Sequence, residues 1–213
     1  MGIIDKGILG GFSGKVGTVV GGTWKGITYM RSKGPGGRTT FSQSQMEQHA
    51  KFAASIKFLQ PMVSLLNTTF KDYAVKMTGF NNAMSYTLKN AITGTYPVYT
   101  VDYSLALVSR GDLPNALSPS ASSTGTAGKV VFTWTSNQGV GKAAPDDKAV
   151  LVVYCPEMKL CVYTDAGPDR STGTGELTVT GFAGKTVQTY VAFISADGRD
   201  LSNSIYTGQL TVS

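Results

Sequence analysis

Lys148-Ala149-Val150-Leu151-Val152-Val153-Tyr154-Cys155-Pro156-Glu157-Met158-Lys159-Leu160-Cys161-Val162-Tyr163-Thr164 decides how the second half of the chain is read. The runs 148–154 and 160–164 are rich in β-branched and aromatic residues and flank a Pro156-Glu157-Met158-Lys159 tip, which predicts a β-hairpin. Working outward, period-two alternation predicts further strands at Lys129–Thr135, Gly175–Thr180, Thr186–Ser195 and Ile205–Val212, with a first strand at Tyr99–Val108. Ala116–Gly128, rich in Ser, Thr, Ala and Gly, reads as an exposed loop. Two antiparallel sheets packed face to face are the expected result. Val131, Trp134, Val152, Val179, Val191 and Phe193 are expected to point inward.

Upstream of Pro97 the period is helical. Ser44-x-x-Glu47 has capping-box spacing, with a start near Ser42 as the alternative. Met46, His49, Phe52, Ala53, Ile56 and Leu59 form the first apolar stripe. Pro61 ends or kinks that helix and suits the first turn of the next. Met62, Leu65, Leu66, Phe70 and Tyr73 form a second stripe, and Phe80, Ala83, Met84, Leu88 and Ile92 a third beyond Gly79.

Residues 1–37 concentrate glycine, yet Ile3, Ile8, Leu9, Phe12, Val16, Trp24, Ile27 and Tyr29 lie between the glycines. This is not the composition of a flexible linker. Thr18–Val20 and Thr23–Met30 predict a β-hairpin with Gly21-Gly22 as the turn. The expected fold class is α+β: a glycine-rich N-terminal β-hairpin arm, a short helical bundle, and a C-terminal β-sandwich. The expected domains are 1–97, arm plus helices, and 98–213, the sandwich.

Composition agrees with an assembling, strand-rich protein. Charged residues are 15%, against a usual ~25%, and glycine is 26 of 213, about 12% against ~7%. Hydrophobic residues at 41% supply a core and exclude a disordered chain, while no 18-residue apolar run spans a membrane. The formal charge of +6 is uneven. Basic residues dominate 1–60, where Asp5 and Glu47 are the only acids, whereas acids slightly outnumber bases in 98–213. A basic N-terminal half suits an acidic partner, either nucleic acid or the acidic surface of another protein or copy. Trp24, Lys25, Tyr29, Arg31, Lys33 and Arg38 mix rings with cations, a pattern compatible with stacked bases and bound phosphates.

Catalytic chemistry is not visible. His49 is the single histidine, so HExxH is excluded, and no GxSxG elbow accompanies it. Gly10-Gly11-x-x-Gly14-Lys15 lacks the spacing of a phosphate loop. Asp146, Asp147, Asp165 and Asp169 read as solvated loop acids rather than a calcium site. Cys155 and Cys161 lack zinc-ligand spacing and read as reduced thiols that face each other across the hairpin. No cofactor and no metal are expected. Asp5 and Lys6 interrupt the opening apolar run, so the chain is expected to be made in the cytoplasm without a signal peptide, and it is compatible with a released particle or extracellular assembly.

Three resemblances add to this. Seven short strands in 98–213 match the spacing of an immunoglobulin-like sandwich, and Trp134 with the Tyr190-Val191-Ala192-Phe193 strand resembles a fibronectin type III module. Gly7-Ile8-Leu9-Gly10-Gly11-Phe12-Ser13-Gly14-Lys15-Val16-Gly17, Trp24-Lys25-Gly26, Tyr29-Met30-Arg31-Ser32 and Phe70-Lys71-x-Tyr73-Ala74-x-Lys76-Met77 together resemble an uncharacterised family of Bacteroidota proteins, a domain of unknown function. The opening is also similar to short virion-associated phage proteins, whose glutamine-rich helix would correspond to Gln43, Gln45 and Gln48. The expected function is therefore a non-enzymatic structural subunit that assembles through its arm. The candidate contacts are Ile8, Leu9, Phe12, Val16, Trp24, Tyr29 and Arg31. The alternative is a binding module that uses the sandwich for a glycan, protein or nucleic-acid partner.

Overall fold

The computed structural model describes residues 2–4, 10–34, 40–73, 76–123, 125 and 128–213. It divides into two compact units, Met1–Gln45 and Met46–Ser213. The sequence reading placed the helices with the arm; instead they share a core with the following strands.

In the first unit, β1 (Ile3–Ile4), β2 (Phe12–Val16), β3 (Val19–Trp24) and β4 (Ile27–Ser32) form an antiparallel sheet in sequence order. α1 (Gln43–Leu59), which belongs to the second unit from Met46 onward, makes a nearly continuous helical run with a 3-10 turn at Gln60–Met62 and α2 (Val63–Thr69). Pro61 interrupts it, because proline offers no amide to the helical ladder. α3 (Gly79–Asn90) follows, capped by the Thr78 hydroxyl, which accepts from the Asn81 amide at 3.2 Å. β5 (Ile92–Thr95) and β6 (Val98–Val101) form a small hairpin. The remaining strands are β7 (Leu117–Ser123), β8 (Lys129–Thr135), β9 (Lys148–Cys155), β10 (Leu160–Thr164), β11 (Thr174–Thr178), β12 (Thr186–Ile194) and β13 (Ile205–Thr211). They build two antiparallel sheets, β10-β9-β12-β13 and β11-β8-β7.

The four-stranded sheet is covered on both faces. Leu151, Val153 and Cys155 of β9 and Val191 and Phe193 of β12 meet Val130, Phe132 and Trp134 of β8. Their alternates Val150, Val152, Tyr154, Tyr190 and Ala192 meet Phe58, Leu59, Met62, Leu65, Leu66 and Phe70 of the helical segment. β9 is consequently buried along nearly its whole length. Burial of side chains of this size contributes about 1.5–3 kcal/mol each, so the two faces together dominate the stability of this unit.

Several expectations change. Trp134, Val179, Val191 and Phe193 do lie in the core between the sheets. Val131 does not: it is half-buried and shares neither face with Trp134, since residues three apart in a strand point oppositely. Val152 is fully buried, but against the helices rather than the opposing sheet. The expected strand at 99–108 ends at Val101 and pairs with β5, not with the sandwich. The true first strand of the three-stranded sheet is β7, inside the stretch read as a loop. Its serines and Pro119 hide it, and they are tolerated because β7 lies at a sheet edge beside a register shift between Leu117 and Ser120.

On α1 the stripe is displaced. Phe52 and Ile56 are exposed, and Ser55, Phe58 and Leu59 are buried. Ala50, Ala54 and Ser55 make the inward face too small-sided to register as apolar periodicity. The capping box is Ser42 with Gln45: the Gln45 amide donates to the Ser42 hydroxyl, and the Ser42 amide to Gln45 Oε1 at 3.0 Å. The cysteines are free. The register pairs Cys155 with Leu160 and Cys161 with Tyr154, so the two thiols lie on opposite sheet faces instead of meeting. Asp147, read as a solvated loop acid, is buried in an ion pair with Arg170, whose guanidinium also donates to Asn137 Oδ1 and the Pro114 carbonyl.

Candidate functional site

The arm sheet is built by two tight turns. Gly17-Thr18 joins β2 to β3, with Gly17 at φ +58. Lys25-Gly26 joins β3 to β4, and both residues have positive φ, as a type I′ hairpin turn requires. Gly21-Gly22, expected to be the turn, lies instead in mid-strand. The reason is the Phe12 side chain, which lies over Gly21. A Cβ there would stand 2.1 Å from the Phe12 carbonyl oxygen and 2.7 Å from its ring. Gly21 is thus a packing site for Phe12, and Lys25-Gly26 takes the reversal.

These turns fix the register: Lys15↔Val20, Val20↔Arg31, Gly22↔Tyr29 and Trp24↔Ile27. Opposed residues share a face, so Lys15, Val20, Trp24, Ile27, Tyr29 and Arg31 all lie on one side of the sheet. Phe12, Gly14, Val16, Val19, Gly21 and Met30 occupy the other. Of the sequence-derived contacts, Trp24, Tyr29 and Arg31 are brought together, while Phe12 and Val16 belong to the opposite face. Ile8 and Leu9 lie outside the described residues.

The first face is open to water. Trp24 is 55% exposed, Ile27 61% and Tyr29 47%, and every β4 residue is exposed. Lys15 and Arg31 add two cations beside the rings. β4 is also the sheet edge, and its outer backbone groups have no strand partner among the described residues. Ile27, noted as apolar but not among the sequence-derived contacts, joins them because the Lys25-Gly26 turn dipeptide sets the register that places it opposite Trp24.

The rest of the described chain offers little acid–base machinery. No group of three or more His, Cys, Asp or Glu side chains among the described residues is arranged to hold a metal ion. The thiol of Cys161 is pushed up to about 12 by burial, the opposite of an activated nucleophile. Burial also raises the phenols of Tyr103, Tyr154 and Tyr190 beneath the helices. Arg170 is lowered by desolvation, which the Asp147 carboxylate opposes. No helix among the described residues is long and apolar enough to cross a membrane.

A family model described as "Family of unknown function (DUF6266)" matches residues 11–208. The chain belongs to this family. The match runs from the arm sheet through to the last strand, so arm, helices and both sheets are parts of one family unit. No curated protein matches the chain, and no solved structure does.

Proposed function

We propose that this DUF6266 protein is a non-enzymatic structural subunit that self-assembles through its N-terminal arm, as part of a filament, shell or phage-like particle. The observation that carries the reading is the exposed face of Trp24, Ile27 and Tyr29 on a four-stranded sheet with an open edge. A contiguous aromatic face left in water on a sheet with an unpaired edge marks an interaction surface. The occupant is a second copy of this chain. Residues 1–45 carry Lys6, Lys15, Lys25, Arg31, Lys33 and Arg38 against Asp5 alone, whereas 98–213 carry more acids than bases. That asymmetry favours an arm-to-body contact between copies, which is heterologous and grows into rings or filaments.

Our reading of the two sheets, β7-β8-β11 and β10-β9-β12-β13, is a fibronectin type III-like sandwich, which their antiparallel pairing and the place of Trp134 on the second strand of the smaller sheet support. Deleting residues 2–37 is expected to leave a folded body that sediments as a monomer, while the full chain sediments as an oligomer. Monomeric sedimentation of both at high concentration would remove the assembly reading.

A further inference from the structure

A second surface lies in the body, independent of the arm. An open depression of about 180 Å³ sits beside α1, walled by Lys57, Tyr99, Tyr103 and Lys159. Two neighbouring depressions of about 310 and 260 Å³ share Lys57 with it and extend it along α1, one towards Ala50 and Pro97, the other towards Pro61 and Leu160. From Ala50 to Pro61 this trough is roughly 16 Å long, at ~1.5 Å per helical residue. Its floor is aromatic and fixed. Phe58 packs edge-on against Tyr154 at 5.1 Å and against Tyr103 at 5.6 Å, and the Tyr154 hydroxyl donates to the Lys57 carbonyl. Tyr99 stays half-exposed, with the Lys51 ammonium 5.1 Å from its ring centre.

Neither Lys57 nor Lys159 has a carboxylate within ion-pair distance among the described residues. The acids nearby are already engaged. Glu157 pairs with Lys185 at 2.6 Å, and Asp102 accepts from the Ser104 amide and hydroxyl. Glu47, one turn before Lys51, also has a partner. Lys159 further occupies a left-handed conformation, φ +55, at the hairpin tip. Glycine or asparagine would adopt that conformation with less strain. The tip thus holds a cation on the bank opposite α1 in a conformation that disfavours lysine.

We infer that this trough binds a short stretch of single-stranded nucleic acid, with phosphates on Lys57 and Lys159 and a base against Tyr99. Cations on two banks above half-exposed rings are what an unpaired strand uses, because it offers charge and flat apolar faces together. A duplex keeps its bases stacked inside and would meet the lysines only. The open, elongated shape suits a polymer better than an enclosed small molecule.

The test uses the full chain and three fluorescent probes: a twelve-residue oligothymidylate, a duplex of the same length, and a heparin oligosaccharide. Binding is followed by anisotropy from 50 to 200 mM salt. The oligothymidylate is expected to bind best. Lys57→Gln with Lys159→Gln should flatten its log–log salt slope by about 1.4, at ~0.7 per lost phosphate contact. Tyr99→Leu, which keeps an apolar side chain and removes the ring, should weaken it about fivefold or more. A triple arm variant, Lys25→Gln, Arg31→Gln and Lys33→Gln, should leave the trough's contribution in place. The inference is overturned by failure of the oligothymidylate to bind, or by an unchanged slope in the double lysine variant. Loss of binding in the arm variant alone, or equal binding of heparin or duplex that ignores Tyr99→Leu, also overturns it. Because the lysines are exposed, urea unfolding of the double variant should match the parent, which separates lost binding from lost folding.

Discussion

Arg170 Nε lies 2.9 Å from Asp147 Oδ2, and neither side chain reaches water. The two are joined by more than charge. The Arg170 amide donates to the Asp147 carbonyl at 2.7 Å, the Ala144 amide donates to Asp147 Oδ2, and the Trp134 indole N–H donates to the Arg170 carbonyl. The guanidinium also stands 4.1 Å from the centre of the Phe193 ring. A buried pair is not by itself evidence of stability, since desolvation offsets much of the attraction. Removing one partner is another matter. Asp147→Ala should lower the unfolding free energy by about 3–5 kcal/mol in urea, by stranding a buried guanidinium. A loss under ~1 kcal/mol would mean that water reaches Arg170 in solution.

Trp134 and Val131 give a test of strand facing. Trp134 packs edge-on against Phe193 at 5.4 Å in the core between the sheets, while Val131 points to the other side of β8. Trp134→Ala should cost about 3–5 kcal/mol. Val131→Thr keeps the β-branched shape at a half-buried site and should stay within about 1 kcal/mol. Similar losses for both variants would show that the facing of β8 is wrong.

β8 through β13 were legible because each run alternates or is bounded by strong turn residues, and the observed ends of β8 and β10 coincide with those read from sequence. β7 was not, because Leu117-Ser118-Pro119-Ser120-Ala121-Ser122-Ser123 has loop composition, and only its place at a sheet edge makes it a strand. The inward face of α1 was missed for a related reason: alanine and serine pack closely without an apolar signature. In the arm, glycine pairs suggested a turn, but Gly21 answers to the Phe12 side chain, a contact between strands that local turn rules do not contain. The trough was illegible too. Lys57, Tyr99 and Lys159 are distant in sequence, and folding alone brings them together.

The buried titrating groups set a direction for alkaline stability. Cys161 has its folded value raised from 9.0 to about 12, and the Tyr103, Tyr154 and Tyr190 phenols are raised as well, all chiefly by burial. A raised acid binds its proton more tightly when folded. Its contribution is fully present below the unfolded value and is lost as pH climbs towards the folded one. Stability should therefore hold near neutrality and fall from about pH 9 upward, as the unfolded thiol and then the unfolded phenols ionise. Urea midpoints measured between pH 7 and 11 would show this. At pH 8 native Cys161 should react with iodoacetamide at least about tenfold more slowly than in the urea-unfolded chain. A flat pH profile together with rapid native alkylation would place Cys161 in solvent.

The arm sheet has two faces, and the assembly reading assigns contact to one. Trp24, Ile27 and Tyr29 share one side, which carries the exposed rings, whereas the exposed aliphatic Val16 and Met30 lie on the reverse with Phe12. Interface energy concentrates in aromatic anchors, so truncating two of them should weaken association far more than polar changes elsewhere. Trp24→Ser with Tyr29→Ser is expected to raise the concentration for half-assembly by about thirtyfold or more, at ~2 kcal/mol for one such anchor. Val16→Ser with Met30→Ser removes comparably exposed apolar groups from the reverse face and should change assembly by less than about fivefold. Sedimentation over a concentration series reads both, and the urea midpoint of the body should be the same in each. The opposite ranking would place the contact on the Val16 face, and equal insensitivity of both variants would remove the sheet from assembly altogether.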